Sequence, residues 1–215
     1  MRRLGLILIC SAAFAQGPLD PADAAWKPIA AATLALYRTP PLYSTDAAAT
    51  LEIPFVQLQV LRSAGSTFVR LEWADKSRDS TTLPKAERTW QSERLVTQSE
   101  ATGRFFDACA VMIPIRPVTG DVNPSLQMGD AGHPVRIYFW DASRGAARME
   151  ATGRETTKRT GQTFPAQSHY VAGKWAVAMQ LSDLPQGTPL ALAVWNGSQQ
   201  DRDGRKYFTI WHRPR

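Results

Sequence analysis

The sequence predicts an all-β fold, an antiparallel β-sandwich with irregular loops and short helices. Three observations carry this. Short runs alternate apolar and polar residues with the period of 2 that a half-buried strand requires. Clusters of Gly, Pro, Asn, Asp and Ser separate those runs. No helical pattern alternates with them, which argues against βαβ units and a parallel sheet.

The chain opens with Arg2 and Arg3, then the apolar stretch Leu4 to Phe14, then Ala13-Phe14-Ala15. A bilayer span takes about 20 residues, and this stretch is shorter. A positive start, a short apolar run and a small-x-small site are the layout of a secretory signal peptide. Residues 1–15 are therefore expected to be a leader, with the mature chain starting near Gln16, exported to the periplasm and without a membrane span. Residues 16–48 are rich in Ala and Pro, and Pro18, Pro21, Pro28, Pro40 and Pro41 preclude a long helix. They read as an N-terminal arm over the domain, with a short helical stretch around Ala30 to Leu36. Residues 49–215 form the expected domain.

Within it, Phe55 to Leu61 sets Val56, Leu58 and Val60 against Phe55, Gln57 and Gln59. Thr67 to Trp73 puts Val69, Leu71 and Trp73 on one face and Arg70 and Glu72 on the other. Arg104 to Ile115 is a long apolar run that ends at Pro114, and Val135 to Trp140 is rich in β-branched and aromatic residues. Trp175, Val177, Met179 and Leu181 share a face, and Leu190 to Trp195 and Lys206 to Trp211 complete the series. Residues 76–100 and 143–165 are polar and less regular and read as long loops.

Composition narrows the function. Hydrophobic residues make up 44% and charged residues 20%, which excludes disordered, collagen-like and coiled-coil chains. The formal charge is +6; without Arg2 and Arg3 the mature chain has 23 basic against 19 acidic residues, a net +4. No basic run is interleaved with aromatics, so nucleic acid is not an expected partner. Of two cysteines only Cys109 would remain after cleavage, in an apolar run that marks it as a small core residue. There is no CxxCH for covalent haem attachment and no zinc spacing, and His133, His169 and His212 are scattered.

Two residues stand out. Period 2 in Lys206-Tyr207-Phe208-Thr209-Ile210-Trp211 groups Lys206 with Phe208 and Ile210. If that face is the core, a lysine points inward, which is rare without a partner; otherwise it snorkels from the strand end. An enclosed amine is pushed towards its neutral form and becomes a metal donor. Met128 lies in the turn-rich stretch Pro124 to Asp130, either as core filler or as a soft ligand suited to haem iron.

An ordered set of segments then carries a family resemblance: Phe68 to Asp75, Asp107 to Pro114, Gln127 to Val135, Ile137 to Trp140, Gly173 to Val177, Ala193 to Ser198, Asp201 to Lys206 and Thr209 to Trp211. Over roughly residues 50–213 the chain resembles the haem b-binding gamma subunits of periplasmic molybdenum oxidoreductases of the ethylbenzene dehydrogenase, dimethylsulfide dehydrogenase, selenate reductase and chlorate reductase type. The resemblance implies one non-covalent haem b per chain, held between the sheets of the sandwich, with Met128 and Lys206 as axial iron ligands and no catalytic residue. It implies a heterotrimer with a molybdopterin catalytic subunit and an iron–sulfur subunit, and a soluble periplasmic cytochrome as electron carrier. His133 stands where the family pattern leads one to expect an amide or other polar residue, which leaves a different ligand pair conceivable. Lys174 and Arg205 are basic neighbours, either for haem propionates or as solvated surface charges. The competing reading is an exported carbohydrate-binding module on the same architecture, with the seven tryptophans as its sugar platform and no haem.

Overall fold

The computed structural model describes residues 18–40, 51–63, 65–80, 88–91, 94–97, 105–118, 122–182 and 184–214. The expected leader lies outside them. Among the described residues there are fourteen strands, two short 3-10 helices and no α-helix. No described helix is long and apolar enough to cross a membrane.

The strands are β1 (Ala32–Ala35), β2 (Tyr37–Arg38), β3 (Phe55–Ser63), β4 (Ser66–Ala74), β5 (Arg88–Gln91), β6 (Arg94–Thr97) and β7 (Ala108–Pro114). They continue with β8 (Val135–Asp141), β9 (Gly145–Ala151), β10 (Lys158–Arg159), β11 (Ala166–Val171), β12 (Lys174–Ser182), β13 (Ala191–Trp195) and β14 (Tyr207–Phe208). A five-stranded sheet runs β1-β3-β4-β12-β11 and a seven-stranded sheet runs β10-β9-β8-β7-β13-β14-β2, while β5 and β6 pair as a separate hairpin. All these pairings are antiparallel. The expected sandwich is present.

The inner layer follows the alternation read from the sequence. Val69, Leu71 and Trp73 of β4 meet Trp175, Val177, Met179 and Leu181 of β12 in one core, joined by Cys109, Val111 and Ile113 of β7. Trp175 stacks on Trp73 at 6.4 Å and takes the edge of Trp140 at 5.2 Å, contacts worth about 0.5–1.5 kcal/mol each beyond their buried area. Cys109 is fully buried, and that burial raises its thiol pKa well above the ordinary value.

Several expectations are corrected. Ala32–Ala35 is a strand paired with Phe55 to Leu58, not a helix; its residues alternate in exposure, and the free edge of β3 offers hydrogen bonds that an isolated short helix would lack. The region 143–165 contains β9, whose backbone completes the edge of β8 although its side chains are only half-buried. The region 76–100 contains the β5–β6 hairpin. The last strand is shorter than read, Tyr207–Phe208, with an isolated bridge between Leu190 and His212 beyond it. The rest of the arm covers the outer face of the small sheet: Trp26 packs with Phe68 and Ala178, and Arg70 Nε donates to Pro21 O at 2.8 Å.

Every residue of β7 is buried, although its side chains alternate between two faces. The seven-stranded sheet is thus covered on its outer side too. There Ala108, Ala110, Met112, Ile137, Ala191 and Ala193 form a second apolar cluster beneath Leu126, Met128 and Trp211.

Candidate functional site

The outer cluster contains a hollow. Central strands of a covered sheet usually present large residues, but β7 and β13 offer Ala110, Ala191 and Ala193. Their small side chains leave a small, partly open apolar pocket, with Trp195 and Phe208 as further walls and with Met128 and Lys206 in its lining. The pocket lies on the outer face of the large sheet, not between the two sheets. Between the sheets Trp73, Trp175, Trp140 and their neighbours pack into one core.

Lys206 reaches this pocket by a different route from the one its pattern suggested. Tyr207 and Thr209 are the buried pair of the last strand, and Tyr207 belongs to the inter-sheet core. Lys206 and Phe208 face outwards, and Ile210 is 60% exposed. The enclosing wall is supplied by the loop carrying Met128, not by the opposite sheet. Lys206 Nζ lies 3.9 Å from Met128 Sδ and 5.3 Å from the centre of the Trp195 ring. Its pKa is lowered, first by burial, then by repulsion from Arg154, with Asp203 pulling the other way. All three effects are electrostatic: enclosure and a nearby cation disfavour the ammonium form, and an acid favours it.

The backbone of Lys206 is held from the N-terminal arm. Its N–H donates to Thr39 Oγ1 at 2.8 Å, and its carbonyl accepts the Thr39 N–H at 3.0 Å and hydroxyl at 2.5 Å. Next to it Arg38 forms a two-pronged ion pair with the buried carboxylate of Asp201, which also accepts the Asn196 N–H at 3.0 Å. Period-2 reading missed Arg38 and Thr39. The only available signal was a short polar pair in an Ala- and Pro-rich arm.

Met128 is fixed by its turn. It has φ of 72° and Gly129 has φ of 77°, consecutive left-handed conformations. For a residue with a Cβ that conformation is costly and has to be imposed by its surroundings. Gly129 N–H donates to Ser125 O at 2.8 Å, and Met128 O accepts the Gly153 N–H at 2.9 Å from the β9–β10 turn. A Cβ on Gly129 would stand 2.7 Å from His133 O, so only glycine fits. Asp130 closes the loop: its carboxylate accepts the N–H groups of Gly132 and His133 at 3.0 Å each, and His133 Nδ1 lies 2.9 Å from Oδ1. The His133 contact is the chief cause holding the Asp130 carboxyl below the usual range. Trp211 Nε1 donates to Pro124 O at 2.8 Å and ties the loop to the chain's last segment.

The other candidates sit elsewhere. His133 braces its own loop and does not line the pocket. His169 faces Asp20 at 3.5 Å, and burial lowers the pKa of His212. Lys174 belongs to the other sheet, 3.7 Å from Glu72, which removes it from the surroundings of the pocket. Arg205 Nε lies 3.8 Å from Asp201. Trp26, Trp73, Trp140, Trp175 and Trp195 are buried and Trp211 is half-buried. Among the described residues no His/Cys/Asp/Glu cluster suits a metal ion.

One buried acidic pair stands apart from the pocket. Asp107 accepts the Gly197 N–H at 2.9 Å, the Asp79 N–H at 2.7 Å and Trp175 Nε1 at 2.9 Å. Asp75 Oδ1 accepts the Ser77 N–H at 3.2 Å. Burial, with the charge of Asp107 second, raises the pKa of Asp75 to about 7.

These features define a class: an all-β sandwich with a half-buried thioether–amine pair over an alanine-floored pocket on one sheet. No family model matches the chain. Its relatives are specific nonetheless. It is 27% identical over 207 residues to a Haloferax mediterranei protein named as a respiratory nitrate reductase haem subunit, covering 91% of this chain and 67% of the relative. It is 26% identical over 227 residues to the gamma subunit of Rhodovulum sulfidophilum dimethylsulfide dehydrogenase, covering 95% and 77%. It is 26% identical over 164 residues to the gamma subunit of Ideonella dechloratans chlorate reductase, covering 71% and 60%. The chain's homologues are thus haem and gamma subunits of molybdoenzymes of the dimethylsulfoxide-reductase family.

Proposed function

We propose that this chain is a periplasmic b-type cytochrome subunit. It relays single electrons between the iron–sulfur subunit of a molybdenum oxidoreductase and a soluble carrier such as a periplasmic cytochrome. In this reading it is the third member of a heterotrimer with that subunit and the molybdopterin catalytic subunit. The observation that carries the reading is the Lys206 Nζ to Met128 Sδ distance of 3.9 Å inside an apolar pocket.

The residues present fit one non-covalent haem b. The lysine amine is already biased towards the neutral, ligating form by its enclosure. The alanine floor presents little relief, which suits a flat ring.

When bound, the haem supplies a one-electron couple. Lys206 and Met128 would be the residues that hold its iron, through an amine and a thioether, and the role would be electron transfer. Thr39 fixes where the amine stands, and the left-handed Met128–Gly129 turn fixes where the sulfur stands. Trp195, Phe208 and Met112 give the pocket apolar walls, and a thioether ligand in apolar surroundings favours a raised potential. The direction of electron flow follows the catalytic subunit: outwards for a dehydrogenase, inwards for a reductase.

The test is the absorption spectrum of the exported protein, oxidised and dithionite-reduced, with a pyridine haemochrome assay, repeated for Met128→Ala and Lys206→Ala. The expected result is a low-spin b-type spectrum in the native protein that is altered or lost in each variant. A colourless protein that takes up no added haemin would sink the haem reading. Unchanged spectra in both variants would refute the ligand pair.

A further inference from the structure

The turn between β9 and β10 reaches the candidate pocket, and its charged residue has no assigned task. Gly153 N–H donates to Met128 O at 2.9 Å, and a Cβ on Gly153 would lie 4.0 Å from Gly129 O. The turn is closed on itself: the Thr152 N–H donates to Thr156 Oγ1 at 2.8 Å, and that hydroxyl donates to Gly153 O at 2.7 Å. Glu155 adopts φ of 70° to complete it. Arg154 is therefore carried on an ordered turn bonded to the methionine's own backbone, and its side chain is exposed.

The other arginines near the site are engaged. Arg205 lies against Asp201, and the Arg202 guanidinium sits 4.9 Å over the Phe105 ring. Arg154 forms no ion pair among the described residues, and the turn that carries it is bonded to Met128. A guanidinium charge beside an apolar pocket is a ready partner for an anionic group of a bound ligand. A guanidinium's planar fork matches a carboxylate with two parallel hydrogen bonds.

We propose that Arg154, held beside Met128 by the Gly153–Met128 hydrogen bond, binds a carboxylate of the cofactor in this pocket and so sets its orientation. The inference rests on the haem reading above, since a haem b bears two propionate carboxylates at one edge. The propionate edge would then face the β9–β10 turn.

The test uses the haem-free full chain titrated with haemin and, separately, with haemin dimethyl ester, in which both carboxylates are blocked. Native protein and Arg154→Gln are compared, with Arg154→Lys as the charge-retaining control. Arg154 is exposed, so the variants should fold. The expected result is an affinity for haemin about tenfold weaker in Arg154→Gln, partly restored in Arg154→Lys and narrowed by high salt, with no difference for the diester. An equal loss for both porphyrins would show that Arg154 serves only the turn and would overturn the assignment. Tight haemin binding with no change in Arg154→Gln would overturn it while leaving the haem reading intact. Native protein that binds neither porphyrin would overturn the haem reading and this assignment with it.

Discussion

Lys206 Nζ and Met128 Sδ stand 3.9 Å apart although 78 residues of chain separate them. Neither belongs to the inter-sheet core. Each is delivered to the outer face of the seven-stranded sheet by a backbone held in place: Lys206 through the hydroxyl of Thr39, Met128 through a turn that only Gly129 can continue. Two independent supports converging on one donor pair are what a binding site requires, since a site left to flexible side chains loses its geometry.

The location of the site can be tested by filling it. Ala193→Leu places a larger apolar side chain on the pocket floor while adding little strain to the inter-sheet core, which lies behind the strand. Overpacking typically costs about 1–3 kcal/mol, and less where a hollow exists. The expected outcome is a folded protein with a near-native thermal midpoint that no longer takes up haemin. Normal uptake would point instead to the space between the sheets.

Gly129→Ala tests the turn. A left-handed φ of 77° and a carbonyl oxygen 2.7 Å from the new Cβ both oppose the substitution. The expected loss is about 1–3 kcal/mol, read as a lower thermal midpoint. Because Met128 is the preceding residue, the reduced haem spectrum should also lose low-spin character. Gly145→Ala is the control: it shares a positive φ of 78° but meets no atom within 4 Å and lies away from the pocket. It should lower stability without changing the spectrum.

Asp75 predicts a pH dependence with a definite sign. Its pKa is raised to about 7 from an unfolded value near 3.8, so the native state binds the extra proton. Stability linked to this group is therefore complete below pH 4 and is lost as pH rises from about 4 to about 7. Asp75→Asn cannot ionise. Relative to that variant, the native protein should lose on the order of a few kcal/mol between those pH values, and the gap should stay constant above them. Thermal unfolding of both proteins across pH 4–8 measures it, and a gap that closes with rising pH would refute the assignment.

Much of the fold is legible in the sequence. Alternation fixes the inward faces of β4 and β12, because a strand's side chains have a strict period of 2 and half-buried strands must be apolar on one side. It also marks Cys109 as core and Lys206 as out of place. The strands it misses are those whose side chains carry no such signal. β9, with the sequence Gly-Ala-Ala-Arg-Met-Glu-Ala, is a strand because β8 offers its backbone an edge. Ala32–Ala35 is one for the same reason at β3.

The character of the site was written in the chain, as an amine and a thioether in unusual settings; its place was not. Periodicity says that a strand has two faces but not which layer covers each, so it groups Lys206 with Phe208 and leaves open which layer they face. Only the tertiary structure brings the Met128 loop over the outer face, sets three alanines beneath it and ties Lys206 to Thr39 across 167 residues. Those contacts depend on how distant segments close on one another, and local sequence carries no signal for that. A period of 2 is a property of one strand, whereas a pocket is a property of the layers that meet around it.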